Sequence, residues 1–296
     1  MSTVVYHAGC ADGFCAAWLF RYWLPDAEFI PAQYGDEAPS VSGQVYILDF
    51  SFPQDVLKAM AAKCESVLVL DHHKTAQADL QHLNDFDGTG RLIVEFDMDR
   101  SGGRMAWDYL KGRAGLPLFL AEFLDLNPTG QHWLVKYTED RDLWRHALPG
   151  TKEINAALRS YPFDFDVWDS LAREQQAMER LLGEGEAILR YKQKLVDQHV
   201  PYAKLANFCD GKYTVPAVNC STGDLQSELA GKLAEGADFG AVWVDQGDGK
   251  QLWSLRSRKG GVDVSAVAKS YGGGGHAGAA GFRCDAGTIC VHERTS

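Results

Sequence analysis

Short apolar runs recur through the first half of the chain, and three of them end in an acid or a histidine. Val4-Val5-Tyr6 runs into His7, Val45-Tyr46-Ile47-Leu48 into Asp49, and Val67-Leu68-Val69-Leu70 into Asp71-His72-His73. Such runs read as strands buried on both faces. Longer helical stretches separate them. Phe14 to Leu24 reads as a mostly buried helix; Pro53 to Lys63 reads as another, with Ser51 as N-cap and Pro53 near the first turn. Leu92–Phe96 is a further strand, and Ser101-Gly102-Gly103 opens a helix through Met105, Ala106, Trp107 and Leu110. Trp133 to Trp144 is helical and carries Glu139, Asp140 and Asp142. This alternation predicts an α/β fold with a mainly parallel sheet covered on both faces.

From about Pro149 the pattern changes. A long helix-compatible segment runs from about Val167 to Leu195 and is ended by Pro201. A second α/β block follows, with strands near Val215–Asn219, Gly240–Val244 and Leu252–Arg256 and helices at Gln226–Ala234 and Val264–Tyr271. The chain then reaches Gly272-Gly273-Gly274-Gly275-His276. The pattern divides into a domain over 1–150, a helical connector over 151–200 and a smaller domain over 201–296.

The bulk numbers narrow the field. With 296 residues, 46% hydrophobic and 23% charged, the composition is that of a globular protein of one large or two ordinary domains. A net charge of -11 argues against a broad basic surface for long duplex nucleic acid, but allows a small anionic substrate held by metal and local cations. No long apolar run and no leader pattern is evident, so no membrane partner is expected. The seven cysteines are irregularly spaced and odd in number, which suggests reduced thiols in a cytoplasmic protein.

In an open parallel sheet, ligands collect outside the carboxyl ends of the strands. His7, Asp12, Asp49 and the Asp71-His72-His73 triplet would therefore converge, and Asp and His together are the ligand types of a hydrolytic divalent-metal site, often with two ions. Adjacent residues at a strand end point in different directions, so one histidine can ligate while the next faces substrate and Asp71 orients an imidazole. Asp49, central in the set, suits a bridge between two ions because its two oxygens can each face one. Gly13 permits a tight turn into the helix beyond Asp12, and a helix N-terminus there favours an anion. Cys10 lies in the same loop as a soft potential ligand. One of Asp140 or Asp142 is expected to join the site. At the other end, glycine-rich backbone at Gly273, Gly274 and Gly275 lets amides approach phosphate oxygens, with His276 on a phosphate or base and Arg256 as a bidentate phosphate ligand. Trp253 or Tyr271 could stack a base.

Asp71-His72-His73 together with the C-terminal Gly-Gly-Gly-His resembles the DHH/DHHA1 phosphoesterase superfamily, over nearly the whole chain. The resemblance implies an N-terminal parallel-sheet DHH domain, a smaller C-terminal α/β DHHA1 domain that binds substrate, and an active site in the cleft between them. It implies two Mn²⁺ or Mg²⁺ ions bridged by Asp49, with His7 on one and Asp12, His72 and Asp140 on the other. His73 would lie near the scissile phosphate, with Asp71 beside it in the catalytic set. The family's first loop usually carries Asp-x-Asp; aligning Asp12 with the second leaves Cys10 in place of the first. The implied activity is hydrolysis of phosphodiester bonds in short single-stranded oligonucleotides or linear dinucleotides. A phosphomonoesterase or polyphosphate hydrolase acting on 3′-phosphoadenosine phosphate or pyrophosphate is the alternative, and a non-catalytic nucleotide sensor a third reading. The long helix could serve a homodimer.

Overall fold

The computed structural model describes residues 2–85, 88–111 and 132–293. The chain forms two compact units, Met1–Ile188 and Leu189–Ser296.

The first unit is built on a five-stranded parallel sheet. Its strands are β1 (Ser2–His7), β2 (Glu28–Ala32), β3 (Gln44–Leu48), β4 (Ser66–Asp71) and β5 (Leu92–Phe96), in the order β2-β1-β3-β4-β5. The alternation inherent to a strand sends its apolar residues to both faces. Val4, Tyr46, Leu48, Leu68 and Leu70 join one core cluster, with Trp18 and Trp107. Val5, Val45, Ile47, Val67 and Val69 join the other, with Leu57 and Met60. The helices of this part are α1 (Ala11–Trp23), α2 (Gln54–Lys63), α3 (Lys74–Leu80), α4 (Gly102–Lys111) and α5 (Trp133–Asp142). Ser51 does not cap α2 as the sequence suggests: Pro53 occupies the N-cap position, and the Ser51 hydroxyl donates to Asp71 Oδ2 at 2.5 Å.

The stretch read as a connector divides differently. Helices α6 (Thr151–Leu158) and α7 (Phe165–Arg173) precede α8 (Ala177–His199), so the long helix is interrupted after Arg173. Ile154, Leu158, Trp168, Leu171 and Leu181 all enter the first unit's core, and Trp18 Nε1 donates to Asp169 Oδ1 at 2.7 Å. Residues 151–188 therefore belong to the first unit, because their apolar faces are buried there, and the boundary falls inside α8.

The second unit carries a seven-stranded mixed sheet of β6 (Lys204–Phe208), β7 (Tyr213–Asn219), β8 (Gly240–Asp245), β9 (Lys250–Arg256), β10 (Gly274–His276), β11 (Ala279–Asp285) and β12 (Cys290–His292). The order is β10-β11-β9-β8-β7-β6-β12, antiparallel except for β7 with β8. Helices α9 (Gly223–Leu233) and α10 (Val264–Lys269) pack into different clusters: Leu225 and Leu229 with Val218 and Val242, and Val264 and Val267 with Trp253 and Leu255.

The glycine run is not a loop. Gly274–His276 pairs with Ala279–Gly281 as a hairpin at one end of this sheet. A Cβ on Gly273 would lie 2.1 Å from the Gly281 carbonyl oxygen, so strand packing demands glycine there whatever the ligand. Trp253 is fully buried and cannot stack a base. Tyr271 stacks on Phe282 at 4.6 Å between ring centroids, and its hydroxyl accepts from the Cys209 amide at 2.6 Å.

Candidate metal centre

The register of the parallel sheet brings the three strand ends together. Tyr6 lies beside Leu48, and Leu48 beside Leu70, so the residues that follow share one edge. The Asp49 amide donates to the Leu70 carbonyl at 2.8 Å. Asp49 has φ of +56°, a left-handed conformation that aspartate tolerates better than bulky or β-branched residues. That bend turns its carboxylate out of the strand direction and towards the histidines: Oδ1 lies 3.1 Å from His72 Nε2 and Oδ2 lies 3.5 Å from His7 Nδ1.

Asp12 approaches from the first turn of α1. Its Oδ1 accepts from Ser101 Oγ at 2.6 Å and from the Gly103 amide at 3.0 Å, at the positive end of α4. Its Oδ2 lies 3.8 Å from His72 Nε2. Asp142, the last residue of α5, places Oδ2 3.3 Å from the same nitrogen. The fourth acid of the site is therefore Asp142, not Asp140. Asp140 is two residues earlier on the helix, and both its oxygens are committed to a local turn: Oδ1 accepts from Ala147 N at 2.9 Å, and Oδ2 from Leu148 N at 3.1 Å and Thr151 Oγ1 at 2.5 Å. Glu139 faces Arg104 and Arg145, each at 3.8 Å.

Asp71 is fully buried and positions its neighbours rather than touching substrate. Its Oδ1 accepts from the amides of His72 at 2.7 Å and His73 at 3.1 Å and from His73 Nδ1 at 2.7 Å. Burial opposes charge on His73, but Asp71 outweighs it and raises its pKa to about 9. His72 is likewise disfavoured as a cation by burial, yet Asp49, Asp142 and Asp12 raise it to about 10. Burial and the neighbouring Asp49 and Asp142 push the Asp12 carboxyl well above its ordinary range. Burial also raises Asp142. Asp49 goes the other way: against the cost of burial, His7 and His72 hold it well below the usual carboxylate range.

These residues fit divalent cations. Asp12, Asp49 and His72 are 1%, 1% and 2% exposed, so the negative charge is buried beside few cations. Asp12 Oδ2, Asp49 Oδ2, Asp142 Oδ2 and His7 Nδ1 are buried and make no hydrogen bond. Their atoms fall into groups close enough to share an ion: Asp12 with His72 and Asp142, Asp49 with His72 and His73, and His7 with Cys10 and Asp49. Sequence reasoning brought together His7, Asp12, Asp49 and His72. It missed Ser101, Gly102 and Gly103 as supports of the site; the Ser-Gly-Gly opening of a helix was the visible signal.

The fold is similar to that of the DHH domain of an archaeal-type protein described as a member of a ribosomal protein family, at TM-score 0.51 and 14% identity, over 98% of this chain and 82% of that one. Residues 210–289 match the DHHA1 domain. The chain belongs to the DHH/DHHA1 phosphoesterase superfamily. Within this superfamily the first unit holds the Asp-His-His residues and the second corresponds to the DHHA1 domain. The chain is also similar to the uncharacterized protein R106 of Acanthamoeba polyphaga mimivirus, with 27% identity over 306 residues, covering 95% of this chain and 67% of that protein. RecJ of Thermus thermophilus, solved in complex with Mn²⁺, matches 96% of this chain and 49% of its own at 15% identity and TM-score 0.46.

Proposed function

We propose that this protein is a metal-dependent phosphoesterase that hydrolyses phosphodiester bonds in short oligonucleotides or linear dinucleotides. The observation that carries the reading is the convergence of Asp12, Asp49, His72 and Asp142, with carboxylate oxygens left unbonded, at the carboxyl edge of a parallel sheet. His7, Asp12, Asp49, His72 and Asp142 would hold two divalent ions, Mn²⁺ or Mg²⁺, with Asp49 between them. When bound, such ions stabilise charge developing on a phosphoryl group and make water a stronger nucleophile at neutral pH.

The chain's own groups supply the rest. Ser101 and the Gly103 amide hold Asp12 in place. Asp71 holds the His73 ring by Nδ1, which leaves the opposite edge of a protonated imidazole to face the scissile phosphate and give a proton to the leaving oxygen. In the second unit, the pairing of β10, β11 and β9 sets His276, Ala279 and Arg256 in one row. Residues directly opposite in antiparallel strands share a face, so His276 and Arg256 form a candidate phosphate or base contact. Arg256 is partly engaged already, donating to Ser227 Oγ at 2.7 Å and the Leu255 carbonyl at 2.8 Å.

The test is a Mn²⁺-dependent hydrolysis assay on a ladder of short 5′-labelled oligoribonucleotides, with 3′-phosphoadenosine phosphate and pyrophosphate alongside. Cleavage of the shortest oligomers, abolished in Asp49→Ala, supports the diesterase. Phosphate release from the other two compounds alone moves the protein to the monoester and polyphosphate class. Metal binding without any hydrolysis leaves a nucleotide sensor.

A further inference from the structure

Cys10 stands apart from the other cysteines of the first unit. Cys15 lies in one apolar core cluster and Cys64 in the other, where Cys64 Sγ donates to the Val41 carbonyl at 3.6 Å. Cys10 belongs to neither, and although it occupies the N-cap position of α1 its side chain makes no capping bond. Its charged neighbours are Asp49, Asp142 and Asp12, which give a neutral thiol little in return. The Sγ atom, a nitrogen of His7 and an oxygen of Asp49 lie within 4.8 Å of one another. That spacing matches ligands around a single transition-metal ion, where each bond is about 2.0–2.3 Å. A second observation points to a ligand independently of the thiol: Asp49 Oδ2, on a side chain 1% exposed, and His7 Nδ1 accept or donate no hydrogen bond.

We propose that Cys10 is a thiolate ligand, and that this chain therefore holds an unequal pair of cations: a borderline-soft ion such as Zn²⁺, Fe²⁺ or Co²⁺ at His7–Cys10–Asp49, and a harder ion at Asp12–His72–Asp142. The proposal rests on the metal-dependent reading above and deepens it by naming the ligand chemistry of one position. Binding of the soft ion forms a metal–sulfur bond and releases the thiol proton to solvent. Sulfur is a poor ligand for Mg²⁺ and a good one for softer ions, so the two positions select differently from the same pool of metals. A carboxylate at position 10 would make both positions hard.

The experiment uses the full-length protein loaded with Co²⁺, in wild-type, Cys10→Ser and Cys10→Asp forms. Three readouts are taken: the near-ultraviolet thiolate-to-cobalt charge-transfer absorption, bound metal per chain, and hydrolysis of a short oligoribonucleotide. The expected result is a charge-transfer band in the wild type that is absent from both variants. Affinity for Co²⁺ and Zn²⁺ should fall in Cys10→Ser by at least the roughly 10–100-fold that loss of even an outer-shell partner causes. Cys10→Asp should retain Mn²⁺ binding and shift preference towards Mn²⁺ over Zn²⁺. A wild-type protein that binds cobalt without the band, or a band that survives in Cys10→Ser, overturns the proposal. Hydrolysis without a Cys10-dependent band overturns thiolate ligation and leaves the phosphoesterase standing; a Cys10-dependent band without hydrolysis of any phosphoester does the reverse. Failure to bind cobalt at all overturns both.

Discussion

Gly102 opens α4 directly against Asp49: a Cβ at position 102 would lie 2.4 Å from the Asp49 Cβ. The glycine lets the positive end of that helix reach the carboxylates at the sheet edge, where its first turn also holds Asp12 through the Gly103 amide. Gly102→Ala must displace either the helix or Asp49. Overpacking of this kind costs about 1–3 kcal/mol. We expect a lower melting temperature together with weakened Mn²⁺ binding in calorimetric titration. Unchanged metal affinity would show that α4 does not position Asp49.

The two neighbouring acids of α5 separate by measurement. Asp142→Asn removes an oxygen that faces His72 at 3.3 Å. It is expected to reduce metal affinity at least 10–100-fold, on the scale of roughly that size seen for lesser perturbations of metal sites, with little change in metal-free stability. Asp140→Ala strips the acceptors from Ala147 N, Leu148 N and Thr151 Oγ1. Unsatisfied buried donors cost about 1–3 kcal/mol, so this variant should melt earlier yet bind metal normally once folded. The opposite pattern in the pair would restore Asp140 to the site.

Metal-free protein should lose stability as pH rises from neutral into the alkaline range. His73 has its pKa raised from 6.5 to about 9, so the folded state holds its proton more tightly than the unfolded chain. Its stabilising contribution is complete below about pH 6.5 and fades as pH climbs through about 9. His72, raised to about 10, acts in the same sense over a window extending further up. Denaturant midpoints of chelator-treated protein across this range check the sign. Asp71→Asn removes the partner of His73 Nδ1 and should flatten the His73 part of the curve; a midpoint rising with pH in the wild type would contradict the assignment.

Metal should stabilise the protein in proportion to occupancy. At about 100 times the dissociation constant, a single bound ion adds about 2.7 kcal/mol. Thermal melts with and without excess Mn²⁺ should show the gain in wild type and its loss in Asp49→Ala, in which the buried carboxylate between the two ligand groups is gone. An equal shift in both proteins would place the ion elsewhere.

Arg256 and His276 share a row across three strands of the second unit. If they contact substrate, Arg256→Ala should raise KM for a dinucleotide more than it lowers kcat, since binding of a non-reacting part is removed. A pure kcat effect would argue for a structural role through Ser227.

The sequence by itself determined the alternation of strands and helices, the buried character of the first sheet and four of the first unit's candidate ligands. Continuous apolar runs ending in His7, Asp49 and Asp71-His72-His73 made this legible, because a strand end in a parallel sheet has only one place to point. Sequence spacing could not separate Asp140 from Asp142. They are two residues apart on a helix, and only the packing of α5 decides which side chain faces His72 and which is consumed by the Ala147–Thr151 turn. The same limit applies to the unit boundary. Residues 151–188 have helical composition wherever they lie, and their membership of the first unit follows from where Trp168 and Leu181 find apolar partners. The glycine run reads as a flexible phosphate loop in one dimension; in three it is a hairpin, since Gly273 must clear the backbone of Gly281. Local pattern is written in neighbouring residues, whereas side-chain direction and close approach depend on partners far along the chain, and those are fixed only when the tertiary structure brings them together.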